Sequence, residues 1–277
     1  MTRILLAVDL SYQVYRAAAS HPMLTSRRVF TGGLYGFFTT LAKTIRETRA
    51  TDLIVCQDVK PYKRSETYPE YKQLRKEKQD DELKYLFTES MALVLDALRV
   101  CGIPVWGIQG YESDDLVAHI VMRYRHRFET IYAASNDSDL YQLLWAENFA
   151  IYRRSIADIM TGKKLAEELF ITPEQHMLAT ALTGTHNDIA GIAGVGPVTA
   201  HAAMRNPAKL RALRERHGAL IDRNLALIKL PHPTFPASAV LPRAERLNVR
   251  ELMRTLSHYD IDMTASIERA IEQVGGR

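Results

Sequence analysis

Apolar runs alternate with helical patterns along the first half of the chain, and several of these runs end near a carboxylate. The aspartates that close or follow such runs are Asp9, Asp58 and Asp137. Between the runs, apolar side chains recur at helical spacing over 34–45 and 86–98. This alternation predicts a parallel α/β sheet, in which ligands bind outside the carboxyl ends of the strands. Carboxylates at three strand ends therefore predict one acidic crevice.

The pattern becomes helical alone from Thr172, where Thr-Pro-Glu-Gln forms a capping box with proline in the first turn. Basic segments follow at 209–217 and 243–254, and these suit either a polyanion-binding surface or ordinary solvated helices. We therefore predict an α/β domain over residues 1–170 and a helical region over residues 171–277.

Composition adds a preference for a polyanionic partner. The 277 residues are 47% hydrophobic and 25% charged, and no apolar stretch approaches the ~20 residues of a membrane helix. The net charge of +4 and the pI near 9.0 understate the basic surface if carboxylates are committed to a crevice, although a merely basic protein has the same values. Cys56 and Cys101 are expected to be buried thiols in a reducing compartment, forming neither a disulfide framework nor a zinc site.

Carboxylates also cluster within short stretches of the sequence. Glu112, Asp114 and Asp115 lie together at a predicted helix start, and Asp137 and Asp139 leave a strand end together. A set of carboxylates without His or Cys favours Mg²⁺ or Mn²⁺ over zinc. Two such ions, roughly 3.5–4 Å apart, are a common device for displacement at a phosphodiester. The alternative for single residues is that Glu112 and Asp114 only cap a helix and complement its dipole.

The segment 59–84 is polar and carries no core-type stripe. Cationic side chains alternate there with aromatic ones, namely Lys60, Lys63, Arg64, Lys72, Arg75, Lys76 and Lys78 with Tyr62, Tyr68 and Tyr71. Cations pair with phosphates and aromatic rings stack on unpaired bases, so the segment suits a grip on nucleic acid. A solvated charged loop has the same composition.

Glycines recur over 191–200, just before a predicted helix near Val198. Glycines at a helix N-terminus let backbone N–H groups approach a phosphate closely. The spacing differs from a Walker A loop and no lysine follows the last glycine, which argues against nucleoside triphosphate binding. A plain turn between helices is the alternative.

Taken together, these elements resemble the flap endonuclease/5′→3′ exonuclease family, which includes phage 5′ nucleases and the 5′-nuclease domains of bacterial repair polymerases. The resemblance covers most of residues 3–205. The matching motifs are Gly110–Leu116, Ser135–Leu143, the arch segment Tyr68–Arg75 and the helix–two-turn–helix motif Gly191–Ala200. It implies a PIN-like parallel sheet flanked by helices in a catalytic domain, an arch over about 59–84, and a DNA-binding helical region that contains the helix–two-turn–helix motif.

The resemblance also implies site residues. The implied metal ligands, direct or through water, are Asp9, Asp58, Glu112, Asp114, Asp115, Asp137, Asp139 and Asp188. Lys72 and Arg75 are the implied catalytic contacts to the scissile phosphate, with Lys72 stabilising the transition state. The implied DNA-binding residues are Arg64, Tyr71, Gly191, Gly194, Val195, Gly196 and Thr199. The implied cofactors are two Mg²⁺ or Mn²⁺ ions, with K⁺ at the helix–two-turn–helix motif.

One stretch departs from the family. Relatives carry Gly-Asp-x-x-Asp-Asn before the helix–two-turn–helix motif, whereas this chain has a shorter stretch at 184–189. Only Asp188 remains as a carboxylate, and Asn187 takes the position of one family aspartate. A lost carboxylate weakens the second ion, so we predict a higher Mg²⁺ requirement than in relatives with the full set.

The expected activity is metal-dependent 5′ nuclease cleavage of flap or 5′-ended duplex DNA in replication and repair, with RNA primers in RNA–DNA hybrids as further candidate substrates. Phosphate contacts imply structure selectivity more than sequence selectivity. We expect a monomer in the cytoplasm of a bacterial or phage-infected cell, working alone or beside a separate replication polymerase. The alternatives are a PIN-like ribonuclease and a catalytically weak protein that binds DNA structures.

Overall fold

The computed structural model describes residues 2–73, 80–242, 247–262 and 264–275. Its strands are β1 (Ile4–Asp9), β2 (Thr25–Ser26), β3 (Val29–Phe30), β4 (Asp52–Cys56), β5 (Val105–Trp106), β6 (Thr130–Ala134), β7 (Phe149–Tyr152) and β8 (Ile159–Met160). Its α-helices are α1 (Leu10–Ser20), α2 (Gly32–Thr48), α3 (Lys63–Thr67), α4 (Asp81–Cys101), α5 (Ser113–Tyr124), α6 (Gly162–Leu169), α7 (Pro173–Thr183), α8 (Pro197–Met204), α9 (Pro207–Ile228), α10 (Val249–His258) and α11 (Thr264–Gly275). Short 3-10 segments lie at Arg125–Arg127, Ser138–Leu143 and Ile156–Asp158.

Within the described residues, six strands form one sheet in the order β5-β4-β1-β6-β7-β8. Neighbouring strands are parallel except for β7 with β8, and β2 and β3 form a separate antiparallel hairpin. Leu6 and Val8 of β1 are buried in one core cluster, while Leu5 and Ala7 are buried in another. Helices therefore cover both faces, as parallel sheets require. The predicted α/β architecture is confirmed.

The strand order places the crevice predicted from the sequence. Strand β1 pairs with β4 on one side and with β6 on the other, so the chain reverses its direction of travel across the sheet beside β1. Asp9 is the last residue of β1, Asp58 follows β4 and Asp137 follows β6. The three aspartates thus lie at adjacent carboxyl ends, beside the switch point where α/β sheets bind ligands.

The C-terminal helices pack in two different places. Helices α7, α8 and α9 form their own apolar cluster, which includes Ala181, Ala200 and Ile221. Helices α10 and α11 instead contribute Leu256 and Ile271 to the core that contains β1, α2 and α4. Although the sequence grouped 171–277 as one helical region, its last two helices therefore pack against the α/β unit.

Local elements follow the sequence patterns with small differences. The sequence predicts a strand over 149–152 and a short helix over 140–144. Strand β7 has the predicted bounds, while the predicted helix is the 3-10 segment Ser138–Leu143. Asp137 explains that difference, because its side chain accepts the N–H of Asp139 and tightens the first turn. Of the expected arch, α3 and the start of α4 at Asp81 are described, but residues 74–79, which include the predicted contact Arg75, lie outside the described residues. None of the helices within the described ranges is both long and apolar enough to cross a membrane.

Candidate active site

Backbone and hydroxyl donors fix three carboxylates at the ends of the central strands. Asp9 caps α1 by accepting the N–H of Tyr12 at 3.1 Å, and its second oxygen accepts the hydroxyl of Ser135 at 3.1 Å. Asp58 accepts the N–H of Ser113 at 2.7 Å, which ties the end of β4 to the start of α5. Asp137 starts the 3-10 segment described above. The fold therefore sets the direction of these carboxylates through its own turns. The name carboxylate crevice is used below for Asp9, Asp58, Glu112, Asp114, Asp137 and Asp139.

Negative charge in the carboxylate crevice is poorly compensated. Burial, followed by repulsion from Asp58, raises the pKa of Asp9 to about 7. Burial, followed by repulsion from Asp137, raises the pKa of Asp139 to about 7. For Asp114, burial and then repulsion from Asp137 raise the pKa well above its ordinary value. A cation beside these carboxylates would offset their repulsion and favour their ionised form.

A divalent cation fits the donors that the crevice offers. One buried oxygen of Asp114 has no hydrogen-bond partner among the described residues, and the donors are carboxylates, which suit hard cations such as Mg²⁺ or Mn²⁺. Within the part of the chain that the structure describes, no three Asp, Glu, His or Cys side chains already form a ligand set. The fit therefore rests on donor chemistry and on the uncompensated charge.

Lys72 reaches into the crevice from the base of the arch. Its ammonium pairs with Glu112 Oε1 and lies 5.2 and 5.4 Å from the ring centroids of Tyr62 and Tyr71. Its backbone has a left-handed φ of 58°, and its N–H donates to the carbonyl of Asn187 at 3.1 Å. The family resemblance implies that Lys72 contacts the scissile phosphate, and the structure places its ammonium beside the crevice carboxylate Glu112.

Arg64 and Asp115 form a buried ion pair with two parallel hydrogen bonds. Arg64 Nη1 donates to Asp115 Oδ2 at 2.7 Å, and Nη2 donates to Oδ1 at 2.8 Å. The exposed fraction is 4% for Arg64 and zero for Asp115. Arg64 Nη1 also donates to Glu112 Oε2 at 2.9 Å. The pair therefore lies directly behind a crevice carboxylate.

Two residues that the sequence assigned to DNA contact are buried. The Arg64 guanidinium is enclosed by protein acceptors. Tyr71 is 5% exposed, its ring belongs to the apolar cluster of α7 to α9, and its hydroxyl donates to Glu112 Oε2 at 2.9 Å. Both side chains support Glu112 in this structure, and neither presents a surface on which a base could stack.

The shortened family stretch places an amide beside the crevice. Asn187 is 4% exposed and lines a small cleft together with Glu112, Asp114 and Asp139. The neighbouring Asp188 is half-buried with a left-handed φ of 65°, and its carbonyl accepts the hydroxyl of Tyr68. The structure therefore puts the side of the stretch that carries Asn187 in the cleft.

The glycine loop lies before α8, which begins at Pro197. Gly191 packs against the backbone, since an added Cβ would lie 2.2 Å from the carbonyl carbon of Thr183. Gly194 has a φ of 78°, and both Gly194 and Gly196 face open space. The other two predicted contacts, Val195 and Thr199, are half-buried along the same loop and helix start. The first turn of α8 therefore offers backbone N–H groups at an accessible surface.

Sequence reasoning did not assign a site role to residues 227–232, which we call the strap. The side chain of Gln142 donates to the carbonyls of Asp139 and Ile228 and accepts the N–H of Leu230. Strap atoms also bond to Arg64 and to Asp115. The family motif over Ser135–Leu143 contains Gln142 and could have indicated its role. Its bond to Leu230 could not be predicted, because the two residues are 88 positions apart and no local pattern connects them.

Sequence comparison gives consistent relatives. A family model described as 5′-3′ exonuclease, N-terminal resolvase-like domain, matches residues 4–170. The 5′-3′ exonuclease of Aquifex aeolicus (strain VF5) is 30% identical over 201 residues, which cover 72% of this chain and 68% of that protein. DNA polymerase I of Bacillus caldotenax is 30% identical over 211 residues, or 74% of this chain. The chain spans only 24% of that polymerase.

Solved structures show a similar fold. A flap endonuclease of bacteriophage T5, crystallised with DNA and metal ions, superposes with a TM-score of 0.69 at 20% sequence identity, covering 99% of this chain and all of that one. Flap endonuclease-1 from Methanococcus jannaschii gives a TM-score of 0.65 at 15% identity, covering 99% of this chain and 92% of the other. At these identities the likeness concerns the fold.

Proposed function

The chain belongs to the 5′-3′ exonuclease family, and from that membership we propose that it is a metal-dependent 5′ nuclease that hydrolyses phosphodiester bonds in 5′-flap or 5′-ended duplex DNA. The observation that carries the proposal is the buried, unpartnered oxygen of Asp114 among carboxylates at the switch point of the sheet. Such a crevice has a clear use at a phosphodiester, where a divalent cation would supply Lewis-acid chemistry.

The residues of the chain divide the remaining work. Asp9, Asp58 and Asp137 hold fixed orientations through the hydrogen bonds of their turns and would hold the cation with Asp114 and Asp139. Lys72 brings a positive charge to the mouth of the crevice, where it would stabilise the charge that develops on the phosphate. The loop before α8 would hold the duplex backbone through main-chain N–H groups, which read phosphates without reading sequence.

Finer features of the proposal follow the resemblance. We assign two Mg²⁺ or Mn²⁺ ions to the carboxylate set, including Asp188 as a candidate ligand, and K⁺ to the helix–two-turn–helix motif. RNA–DNA hybrids are further substrates because the phosphate contacts do not depend on the sugar. The protein would work as a monomer, beside a separate replication polymerase, in the cytoplasm where replicating bacterial or phage DNA lies.

The direct test is cleavage of a 5′-labelled flap duplex in Mg²⁺, with an EDTA control and with Asp137→Ala. We expect cleavage near the junction that both controls abolish, because Asp137 lies at the centre of the repelling carboxylates. Tight flap binding without cleavage in either Mg²⁺ or Mn²⁺ would refute the nuclease and favour a DNA-structure-binding protein. Preferential cleavage of single-stranded RNA would favour the PIN-like ribonuclease.

A further inference from the structure

We propose that Arg64 and Asp115 are a positioning pair, which holds Glu112 for the metal and contacts neither the metal nor DNA. The proposal rests on the proposed nuclease function, because it assigns roles within that site. It replaces two roles that the family resemblance implied, a DNA contact for Arg64 and a metal ligand for Asp115. Other groups of the protein already bond to the polar atoms of both side chains.

Arg64 has no donor left for a phosphate. A guanidinium has five N–H donors and no acceptor. Nε donates to Leu227 at 2.8 Å, Nη1 donates to Glu112 and Asp115, and Nη2 donates to Asp115 and to the Lys229 carbonyl at 3.3 Å. These five bonds use the five donors within a buried site. A phosphate could reach this group only if the protein bonds opened.

Asp115 has no lone pair left for an ion. An ionised carboxylate offers about four acceptor sites. Oδ1 accepts from Arg64 at 2.8 Å and from the N–H of His232 at 2.7 Å, while Oδ2 accepts from Arg64 at 2.7 Å and from the N–H of Glu112 at 3.1 Å. The contrast is Asp114 on the same turn, where one buried oxygen has no partner within the described residues.

The pair fixes one oxygen of Glu112, and the other oxygen bonds to Lys72. Glu112 Oε2 accepts from both Arg64 and the Tyr71 hydroxyl, each at 2.9 Å, whereas Oε1 accepts from Lys72. Glu112 also lines the cleft that Asp114 and Asp139 line, so the held carboxylate lies beside the proposed metal ligands. The strap completes the support, because its backbone bonds to both members of the pair.

Asn substitutions at 114 and 115 separate a ligand from a positioning residue without relying on catalysis. Thermal unfolding would be followed in EDTA and in Mn²⁺ for the wild type, Asp114→Asn and Asp115→Asn. We expect Asp115→Asn to lower the melting temperature in EDTA but to keep most of the Mn²⁺-induced rise, because it weakens the support of a ligand without removing a ligand. We expect Asp114→Asn to keep or raise the melting temperature in EDTA, since a repelled charge is removed, and to lose most of the Mn²⁺-induced rise.

The same two variants can also show that the inference is wrong. If Asp115→Asn instead keeps its EDTA melting temperature and loses the Mn²⁺-induced rise, then Asp115 is a ligand and the inference is wrong. A wild type that gains no stability from Mn²⁺ would also overturn it, because Glu112 would have no ion to be positioned for. If both variants behave as expected but the wild type fails to cut flap DNA, the proposed nuclease is refuted. The assignment of Asp114 as a ligand and of Asp115 as a positioning residue would then still stand.

Arg64→Lys provides a second measurement if Asp115→Asn does not fold. Lysine keeps the charge but cannot reproduce a five-bond planar donor set. We expect kcat to fall about tenfold or more, as when supporting partners of a metal ligand are lost, while flap affinity measured in EDTA stays at the wild-type value. Arg99→Lys, which makes the same substitution at an exposed arginine paired with Asp96, is the matched control. Weakened flap binding in EDTA with an unchanged kcat would restore Arg64 to the DNA interface.

Discussion

Lys72 Nζ pairs with Glu112 Oε1, which is the oxygen that Arg64 and Tyr71 do not contact. Lys72 thus contacts a carboxylate that is proposed to face the metal ion. Its ammonium also lies beside the rings of Tyr62 and Tyr71. Substrate would offer Lys72 a second anionic partner at the same place.

Lys72→Ala should therefore impair turnover far more than binding. We expect kcat to fall by about 10²-fold or more, the usual effect of removing one transition-state charge contact, with little change in flap affinity measured in Ca²⁺. Single-turnover cleavage and fluorescence anisotropy give the two quantities. Lys63→Ala is the control, since Lys63 pairs with Glu66 on the exposed side of α3. Parallel losses in affinity and turnover would assign Lys72 to ground-state DNA binding.

Arg64→Met should destabilise the protein strongly. The substitution leaves the carboxylate of Asp115 buried without its cation, and breaking a buried pair in this way costs about 3–5 kcal/mol. Urea denaturation in EDTA gives the free energy of unfolding. The exposed pair of Lys63 and Glu66 is the comparison, and Lys63→Ala should leave that free energy nearly unchanged. Equal effects of the two substitutions would contradict the burial argument.

Stability without metal should fall as the pH rises. Asp9 and Asp139 have folded-state pKa values of about 7 against an ordinary value of 3.8, so the folded state binds their protons more tightly than the unfolded state does. The stabilising contribution is present below the unfolded pKa and is lost as the pH rises through about 7. The melting temperature in EDTA should decline from about pH 5 to about pH 8, and Mg²⁺ should raise it more at the higher pH.

Asp139→Asn is the internal control for that titration. Removing one of the raised pKa values should flatten the pH dependence of the melting temperature in EDTA. A slope equal to that of the wild type would show that other groups cause the decline.

The Mg²⁺ requirement should be higher than in relatives with the full carboxylate set, and Asn187→Asp should lower it. Asn187 lines the cleft beside Glu112, Asp114 and Asp139, so the added carboxylate would face the ion directly. We expect the Mg²⁺ concentration for half-maximal cleavage to fall roughly tenfold, within the range seen when residues around a metal are altered. Asp188→Asn is the companion variant. If cleavage by the wild type saturates at low micromolar Mg²⁺, the prediction of a higher Mg²⁺ requirement is wrong.

The two ends of the glycine loop should respond differently to alanine. Gly196→Ala has room for its Cβ, so the melting temperature should hold while a methyl group enters the surface proposed for the duplex backbone. We expect weaker binding of duplex DNA with unchanged stability. Gly191→Ala should lower the melting temperature, because its Cβ would overlap the backbone of Thr183. Unchanged DNA affinity in a stable Gly196→Ala protein would place the duplex elsewhere.

The sequence predicted the parts of the site that depend on local order. Asp9 and Asp137 could be located because a strand and the turn that follows it are formed by adjacent residues, whose pattern is visible in the sequence. The roles of Arg64 and Tyr71 could not be read in that way, because a basic or aromatic residue in a polar segment looks exposed until its partners are known. The bond from Arg64 to Lys229 spans 165 positions, and the fold alone brings those residues together.

The packing of α10 and α11 could not be predicted from the sequence for a related reason. Amphipathic helices carry the same pattern whether they cover a DNA-binding region or the back of a sheet. Leu256 and Ile271 share a core with Leu6 and Phe37. The spacing of apolar residues in α10 and α11 does not indicate that these helices pack against the sheet.

The placement of α10 and α11 has a consequence for how the protein is made. The strand that carries Asp9 leaves the ribosome before α10 and α11, which cover one face of its sheet. At ~5–20 residues per second, the interval is on the order of tens of seconds. The crevice therefore gains the structural backing of these helices only after residues 264–275 have left the ribosome.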